Sequence, residues 1–378
     1  MLSQINLRHL RAVAAIVRLG SISAAAQAVN ITQPAITQGL AKLEMQLKIG
    51  LFDRQSDGMQ CTAASTILAP RIERALAHIG SVRVTSAHVR ALLALAEAGS
   101  YPGAAQITGL AQPTLHRALS DLSIALRRTL VERRGKGIGF TDDGRRMIRR
   151  FRLARAELEA GFAELEQLSG REIGRISIGA MPLSRARVLP SAIAAFHGRF
   201  PDVKIAITEG SFGELIEPLR DGEVDIMIGA LRDPSPGADI QQEELFNDRP
   251  AIIARTGHPL AGKEPEIAEM ATYPWVVSHP GTPLHLQWRL MFEGTKLPSV
   301  PVECGSGITI RQLLMATDFL TLMSIDQVAA ELEAGWLVVI GEAPSGLSRS
   351  IGISTRTGWR PTALQSEFIE QLKQTARE

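Results

Sequence analysis

SISAAAQAVNITQPAITQGLAKLE, residues 21–44, returns without a gap as SYPGAAQITGLAQPTLHRALSDLS, residues 100–123. Ser21 aligns with Ser100, an offset of 79 residues, and the same offset pairs Gln33/Gln112, Pro34/Pro113, Leu40/Leu119, Leu43/Leu122, Leu47/Leu126, Leu51/Leu130, Arg54/Arg133, Gly58/Gly137 and Thr62/Thr141. A working part has been duplicated. The shared apolar positions imply that each copy can form its own small core.

Each copy reads as three helices and a loop. In the first, Leu10, Val13, Ile16 and Val17 make an apolar stripe. Ser23 is the expected cap of an Ala-rich second helix, and Asn30-Ile31-Thr32 breaks it. Thr32 then caps a third helix with Pro34 in its first turn, where a missing N–H costs nothing. Ile36, Leu40, Leu43 and Leu47 face inward at helical spacing. That geometry turns Pro34, Thr37, Gln38, Ala41 and Lys42 outward, a short polar face that fits the DNA major groove. Gln pairs with adenine edges, Thr reaches a base or methyl group, and Lys holds phosphate or guanine. Leu51-Phe52-Asp53-Arg54 and the loop beyond form a wing, with Arg54 near the DNA backbone or minor groove.

In the second copy Pro113, His116, Arg117, Ser120 and Asp121 face out, beside Gln112 and Thr114. His116 and Arg117 suit DNA, whereas Asp121, in the place of Lys42, repels phosphate. The second wing, Glu132-Arg133-Arg134-Gly135-Lys136-Gly137, is the more basic. The second unit therefore either binds DNA with other base preferences or serves as a spacer.

Charge agrees with a polyanion partner at the front. Residues 1–150 hold 20 Lys and Arg against 9 Asp and Glu, a net of +11; residues 151–378 hold 21 against 30, a net of −9. Two distant cysteines, Cys61 and Cys304, fit a reducing cytoplasm, and Cys304 is expected to be a buried thiol rather than a reactive one. No apolar run approaches the roughly 18 residues a membrane span needs. The N-terminus lacks the marks of a signal peptide. There is no HExxH, P-loop, GxSxG or CxxC pattern and no metal-ligand spacing of His, so neither an enzyme nor a cofactor is expected. A transporter's solute-binding protein would lack this basic front.

TQPAITQGLAKLE followed by IGLFDR resembles the winged helix-turn-helix of LysR-type transcriptional regulators, in spacing as well as residues. The second copy is similar through Ala111-Gln112-Pro113, Leu130-Val131-x-Arg133 and Phe140-Thr141-x-x-Gly144. The family usually has one such unit, so the extra copy is a departure. Cys61-Thr62 and Ser65 also stand where the family tends to have Leu-Thr and Gly.

Beyond the repeats, Met147, Phe151, Ala154, Leu158, Leu165 and Leu168 keep a heptad-like rhythm over residues 143–168, with Gly161 and Phe162 at the gap. This predicts a long helix whose seam pairs with a second copy of the chain or packs on its own effector domain. The resemblance favours a dimer or tetramer, with four winged helices on each dimer. From Gly174 short β-rich runs alternate with helices, which predicts a parallel α/β sheet. The resemblance implies two lobes like those of periplasmic binding proteins. The expected divisions are residues 1–80 and 81–142 for the winged helices, 143–170 for the linker and 171–378 for the effector domain. Lobe I would take residues 174–244 and 346–378, lobe II residues 245–345.

Ligands of such sheets bind beyond the C-terminal strand ends, between lobes. The residues placed there are Met181, Ser184, Ser211, Phe212, Ala230, Ser278, His279, Thr282, Cys304 and Gly305. Ser184 or Ser211 at a helix start would offer hydroxyl and backbone donors to a carboxylate. The expected effector is a small organic acid, and the expected function is effector-modulated transcription regulation on double-stranded promoter DNA.

Overall fold

A computed structural model describes residues 5–55, 58–135, 137–344 and 347–377. They fall into two compact units, the first formed chiefly by residues up to Gly174 and the second by the rest.

In the first unit α1 (Leu7–Leu19), α2 (Ile22–Val29), α3 (Gln33–Leu47), β1 (Phe52–Gln55), β2 (Gly58–Cys61) and α4 (Ala63–Ile79) are followed by a second set in the same order. That set is α5 (Ser86–Ala98), α6 (Tyr101–Thr108), α7 (Gln112–Leu126), β3 (Val131–Arg134), β4 (Gly137–Phe140) and α8 (Asp142–Leu168). Local chemistry repeats with the elements. Gly20 and Gly99 end α1 and α5 in the left-handed region, where an L side chain is strained. Thr62 and Thr141 cap α4 and α8, and their hydroxyls donate to Gly50 and Thr129 carbonyls at 2.9 and 2.7 Å. The cap of α2 is Ser21 rather than Ser23: its side chain accepts from the Ala24 N–H, and Ser23 lies inside the helix. Thr32 precedes α3, but its side chain makes no cap bond.

The copies do not build separate cores. Leu10, Ile16, Ile36 and Leu43 of the first join Leu92, Leu95, Leu115 and Leu122 of the second and Phe151 and Leu158 of α8 in one continuous apolar interior. α4 is the reason. It lies along α8 and covers the seam, so Met147, Phe151, Ala154, Leu158, Phe162 and Leu165 are buried within the chain, while Leu168 is exposed. The expected pairing of this seam with a second chain, or with the effector domain, is corrected: the first copy supplies the partner helix. Ala64, Leu68, Ile72, Ala75 and Ile79, all buried, are the α4 residues at helical spacing.

The second unit has two lobes. Lobe I contains β5 (Gly174–Ala180), α9 (Val188–Arg199), β6 (Val203–Glu209), α10 (Phe212–Asp221), β7 (Ile226–Ala230) and β8 (Ile240–Asp248). Lobe II contains β9 (Pro250–Arg255), α11 (Ile267–Met270), β10 (Val276–Val277), α12 (Pro283–Met291), β11 (Val302–Glu303), α13 (Gly307–Ala316), β12 (Thr321–Ser324), α14 (Ala329–Glu333) and β13 (Leu337–Glu342). The chain then returns to lobe I with β14 (Arg349–Arg356) and α15 (Ala363–Thr375). Lobe I has the sheet order β6-β5-β7-β14-β8, and lobe II has sheets β12-β9-β13 and β10-β11.

The sheets are mixed, not purely parallel. β5 runs parallel to β7, but β14 is antiparallel to β7 and β8, and β9 is antiparallel to β12 and β13. The returning strand enters from the opposite end, so it cannot continue the parallel set. β8 extends to Asp248, so the crossing to lobe II follows it instead of falling at 245; the expected return at 346 is outside the described residues. Ile176, Ile178, Ile226, Ile228, Phe196 and Phe368 fill lobe I, and Trp275, Trp288, Phe292 and Leu322 fill lobe II.

Candidate nucleic-acid interface and effector site

α3 buries Ile36, Leu40, Leu43 and Leu47 and leaves Gln33, Pro34, Gln38 and Lys42 exposed, with Thr32 exposed just ahead of it. Thr37 is half-buried, and its hydroxyl donates to the Gln33 carbonyl at 3.1 Å. Gly39 lets α3 approach α1: a Cβ there would lie 2.6 Å from the His9 ring. Burial and then the Lys42 charge hold His9 below its ordinary pKa. Arg54 stands exposed on β1. The Glu44 carboxylate accepts from the Leu51 and Phe52 N–H groups at 2.7 and 3.3 Å, so the helix itself pins the start of the wing.

α7 repeats the design. Leu115, Leu119 and Leu122 are buried, while Gln112, Thr114, His116 and Arg117 are exposed. The His116 ring stacks on Tyr101, with centroids 3.5 Å apart. Arg133 is exposed on β3; Arg134 shares that strand; Lys136 lies outside the described residues. Among the described residues Lys42, Arg54, Arg117 and Arg133 form no ion pair, so their charge is free for phosphate.

The residues expected to hold an effector form two groups on separate lobes. On lobe I, Met181 follows β5; its N–H donates to Ile228 at 3.0 Å, and its side chain fills the space a Cβ on Gly229 would need, next to Ala230. Ser184 and Ser211 do not offer the expected donors. Ser184 is 1% exposed, and its hydroxyl donates to the Met181 carbonyl at 2.9 Å. The Ser211 N–H and hydroxyl both donate to the Glu214 carboxylate, at 2.7 and 2.8 Å. Those two bonds hold the Glu214 pKa below the usual carboxylate range. A carboxylate of the chain already occupies the place foreseen for the ligand's.

On lobe II, β10 and β11 run parallel and bring Ser278 and His279 beside Cys304 and Gly305. The Cys304 N–H donates to Val277 at 2.8 Å, and a Cβ on Gly305 would lie 3.5 Å from the His279 ring. Ser278 and Thr282 hydroxyls are 2.9 Å apart, and Thr282 caps α12. Cys304 is half-buried, not buried, because it lies past the strand end. The Arg187 to Asp326 ion pair, 3.1 Å, ties the lobes.

Sequence reading missed Arg232. It lies two residues beyond β7, half-buried, with its guanidinium 4.5 Å from the Phe212 ring centroid. Among the described residues it has no carboxylate partner, and burial lowers its pKa. No spacing marks a lone Arg in LRDPSPG; only the fold brings it onto Phe212.

The geometry defines a winged-helix transcription regulator with a two-lobed effector domain, and the comparisons agree. Residues 169–377 match the LysR substrate binding domain, and residues 7–66 and 86–145 each match the bacterial regulatory helix-turn-helix of the lysR family. HTH-type transcriptional regulator GalR of Pseudomonas putida is 30% identical, covering 93% of each chain. The regulator YdcI of Escherichia coli is 27% identical over 73% of this chain and 91% of its own. Full-length OxyR of Pseudomonas aeruginosa superposes with a TM-score of 0.59 at 22% identity, over 77% of this chain and 94% of its own. ArgP of Mycobacterium tuberculosis gives 0.60 at 17% identity, over 76% and 96%.

The chain belongs to the LysR family of DNA-binding transcription regulators. These relatives are regulators, not enzymes. No described helix is long and apolar enough to cross a membrane.

Proposed function

We propose that this is a cytoplasmic regulator that grips promoter DNA with two tandem winged helices. Gln33, Thr37, Gln38 and Lys42 read the first stretch of bases, with Arg54 on the backbone. His116 and Arg117 read the second, with Arg133, Arg134 and Lys136 on the backbone. The observation that carries this reading is the matched pair of exposed polar faces on α3 and α7, each with one Lys or Arg that forms no ion pair among the described residues. Self-association as a dimer or tetramer would use surfaces other than the α8 seam, which α4 covers.

The effector in this reading is a small organic acid held beyond the ends of β5 and β7. Arg232 supplies the cation and Phe212 and Met181 the apolar wall, while His279 and Thr282 close the site from lobe II. Effector binding and DNA binding are then coupled reciprocally.

The test has two arms. The logarithm of the affinity for a duplex of the protein's own upstream region should fall linearly with log salt, with a slope of several units. A flat salt dependence contradicts the DNA reading. Calorimetry with a panel of small mono- and dicarboxylic acids should find a binder that Arg232→Ala weakens about tenfold or more. Unchanged binding removes Arg232 from the site.

A further inference from the structure

Two polar contacts between the copies form an exchanged pair. Arg71 Nη1 donates to Glu157 at 3.1 Å, and Arg150 Nε donates to the His78 carbonyl at 2.7 Å. Under the 79-residue offset Arg150 is the image of Arg71, and His78 is the image of Glu157. The two bonds therefore join the same pair of positions with the roles of the copies reversed, one to a carboxylate and one to a backbone carbonyl. Leu7 meets its own image directly: its N–H donates to the Ser86 hydroxyl at 3.1 Å. α4 and α8 run antiparallel, because Leu68 lies against Gly161, Arg71 against Glu157 and the end of α4 at Gly80 against Arg150. The register centres on Ala75 and Ala154, again images, 1% and 2% exposed, whose small side chains allow close approach. Residue i against j and j against i is the signature of a two-fold interface. Here it lies inside one chain.

Carried through the matching element order of the two copies, that two-fold pairs α3 with α7. A pair of recognition helices related by a two-fold fits an inverted repeat. The two faces are not identical, however. Thr37, Gln38, Ala41 and Lys42 have His116, Arg117, Ser120 and Asp121 as their images. Gln suits adenine, Arg suits guanine and Asp accepts from the cytosine amine.

We infer that one chain is a complete reader of one DNA site made of two unlike half-sites in inverted orientation. The half-site under α3 is the richer in A·T and that under α7 the richer in G·C. The inference rests on both units binding DNA as proposed above.

The test is selection of duplexes from a random pool by the full chain, with the mass of the complex giving the chains bound per motif. The expected motif has two different inverted halves and one tandem unit on each. Thr37→His, Gln38→Arg, Ala41→Ser and Lys42→Asp together should make the selected motif palindromic and lower affinity for the wild-type motif about tenfold. The reverse exchange on α7 gives the second palindrome and serves if the first variant misfolds. A wild-type motif with identical halves, halves in direct repeat, or a single half-site overturns the inference while leaving DNA binding intact. Failure to retain any duplex overturns the DNA reading itself.

Discussion

The two winged helices share a fold but hold their places by different means. Arg71, 1% exposed, donates to two carboxylates, Glu157 at 3.1 Å and Glu164 at 2.6 Å. Burial works against its charge, and the bonds to Glu164 and Glu157 outweigh that, holding its pKa above the ordinary guanidinium value. Its image Arg150 is exposed and donates to the His78 and Ala77 carbonyls, which the last turn of α4 leaves without helical partners. Two-fold geometry thus survives where the chemistry has diverged. The first copy is clamped by a buried charge cluster, the second by a helix end.

That contrast predicts the largest effect. Arg71→Met should destabilise the chain by about 3–5 kcal/mol, because it leaves Glu157 buried among fewer cations. Arg150→Met should cost only about 1 kcal/mol. Denaturant unfolding of both variants checks the pair, and equal losses would erase the distinction.

Acid separates the copies more gently. His9 and His88 are images, and both sit below the ordinary histidine value of 6.5 because of burial. A histidine with a depressed folded pKa contributes stability that is present above 6.5 and is lost as pH falls through the folded value. Both units should therefore weaken on acidification below about 6.5. The nearby charges differ in sign: Lys42 lowers His9 further, whereas Asp121 raises His88. Lys42→Ala should move the His9 titration up and Asp121→Ala should move that of His88 down, each read by NMR of the imidazole. Shifts of the same sign in both variants would contradict the assignment.

The smallest effect concerns another image pair. Arg11 donates to the Ser81 and Val84 carbonyls at 3.0 and 3.3 Å. Arg90, its image, lines a cavity of about 550 Å³ among Leu7, Leu10, Leu93 and Phe162, with its Nε buried and without a hydrogen-bond partner among the described residues. Arg90→Leu should change stability by less than about 1 kcal/mol, whereas Arg11→Leu should destabilise by about 1–3 kcal/mol through its lost bonds. Thermal unfolding decides the order.

Much of this was readable in the chain. The inward leucines of α3 and α7, the outward faces and most strands follow from periodicity, which burial enforces locally. What was not readable depends on distant partners. α4 carries Pro70 within it and a polar RIER run, so nothing local announces that it covers α8. β8, IQQEELFND, is a polar edge strand whose place comes from pairing with β14. Ser184 and Ser211 read in the sequence as donors to a ligand, but the Met181 carbonyl and the Glu214 carboxylate accept their hydrogen bonds. A hydroxyl's partner is set by tertiary contacts that composition does not record.

The most direct measurement is footprinting of the full chain on its own upstream DNA, comparing wild type with Gln38→Ala/Lys42→Ala and with His116→Ala/Arg117→Ala. Each pair should weaken binding and shorten the footprint at a different end. If the α7 pair leaves both affinity and footprint unchanged, the second winged helix is a spacer and the account of two readers in one chain fails.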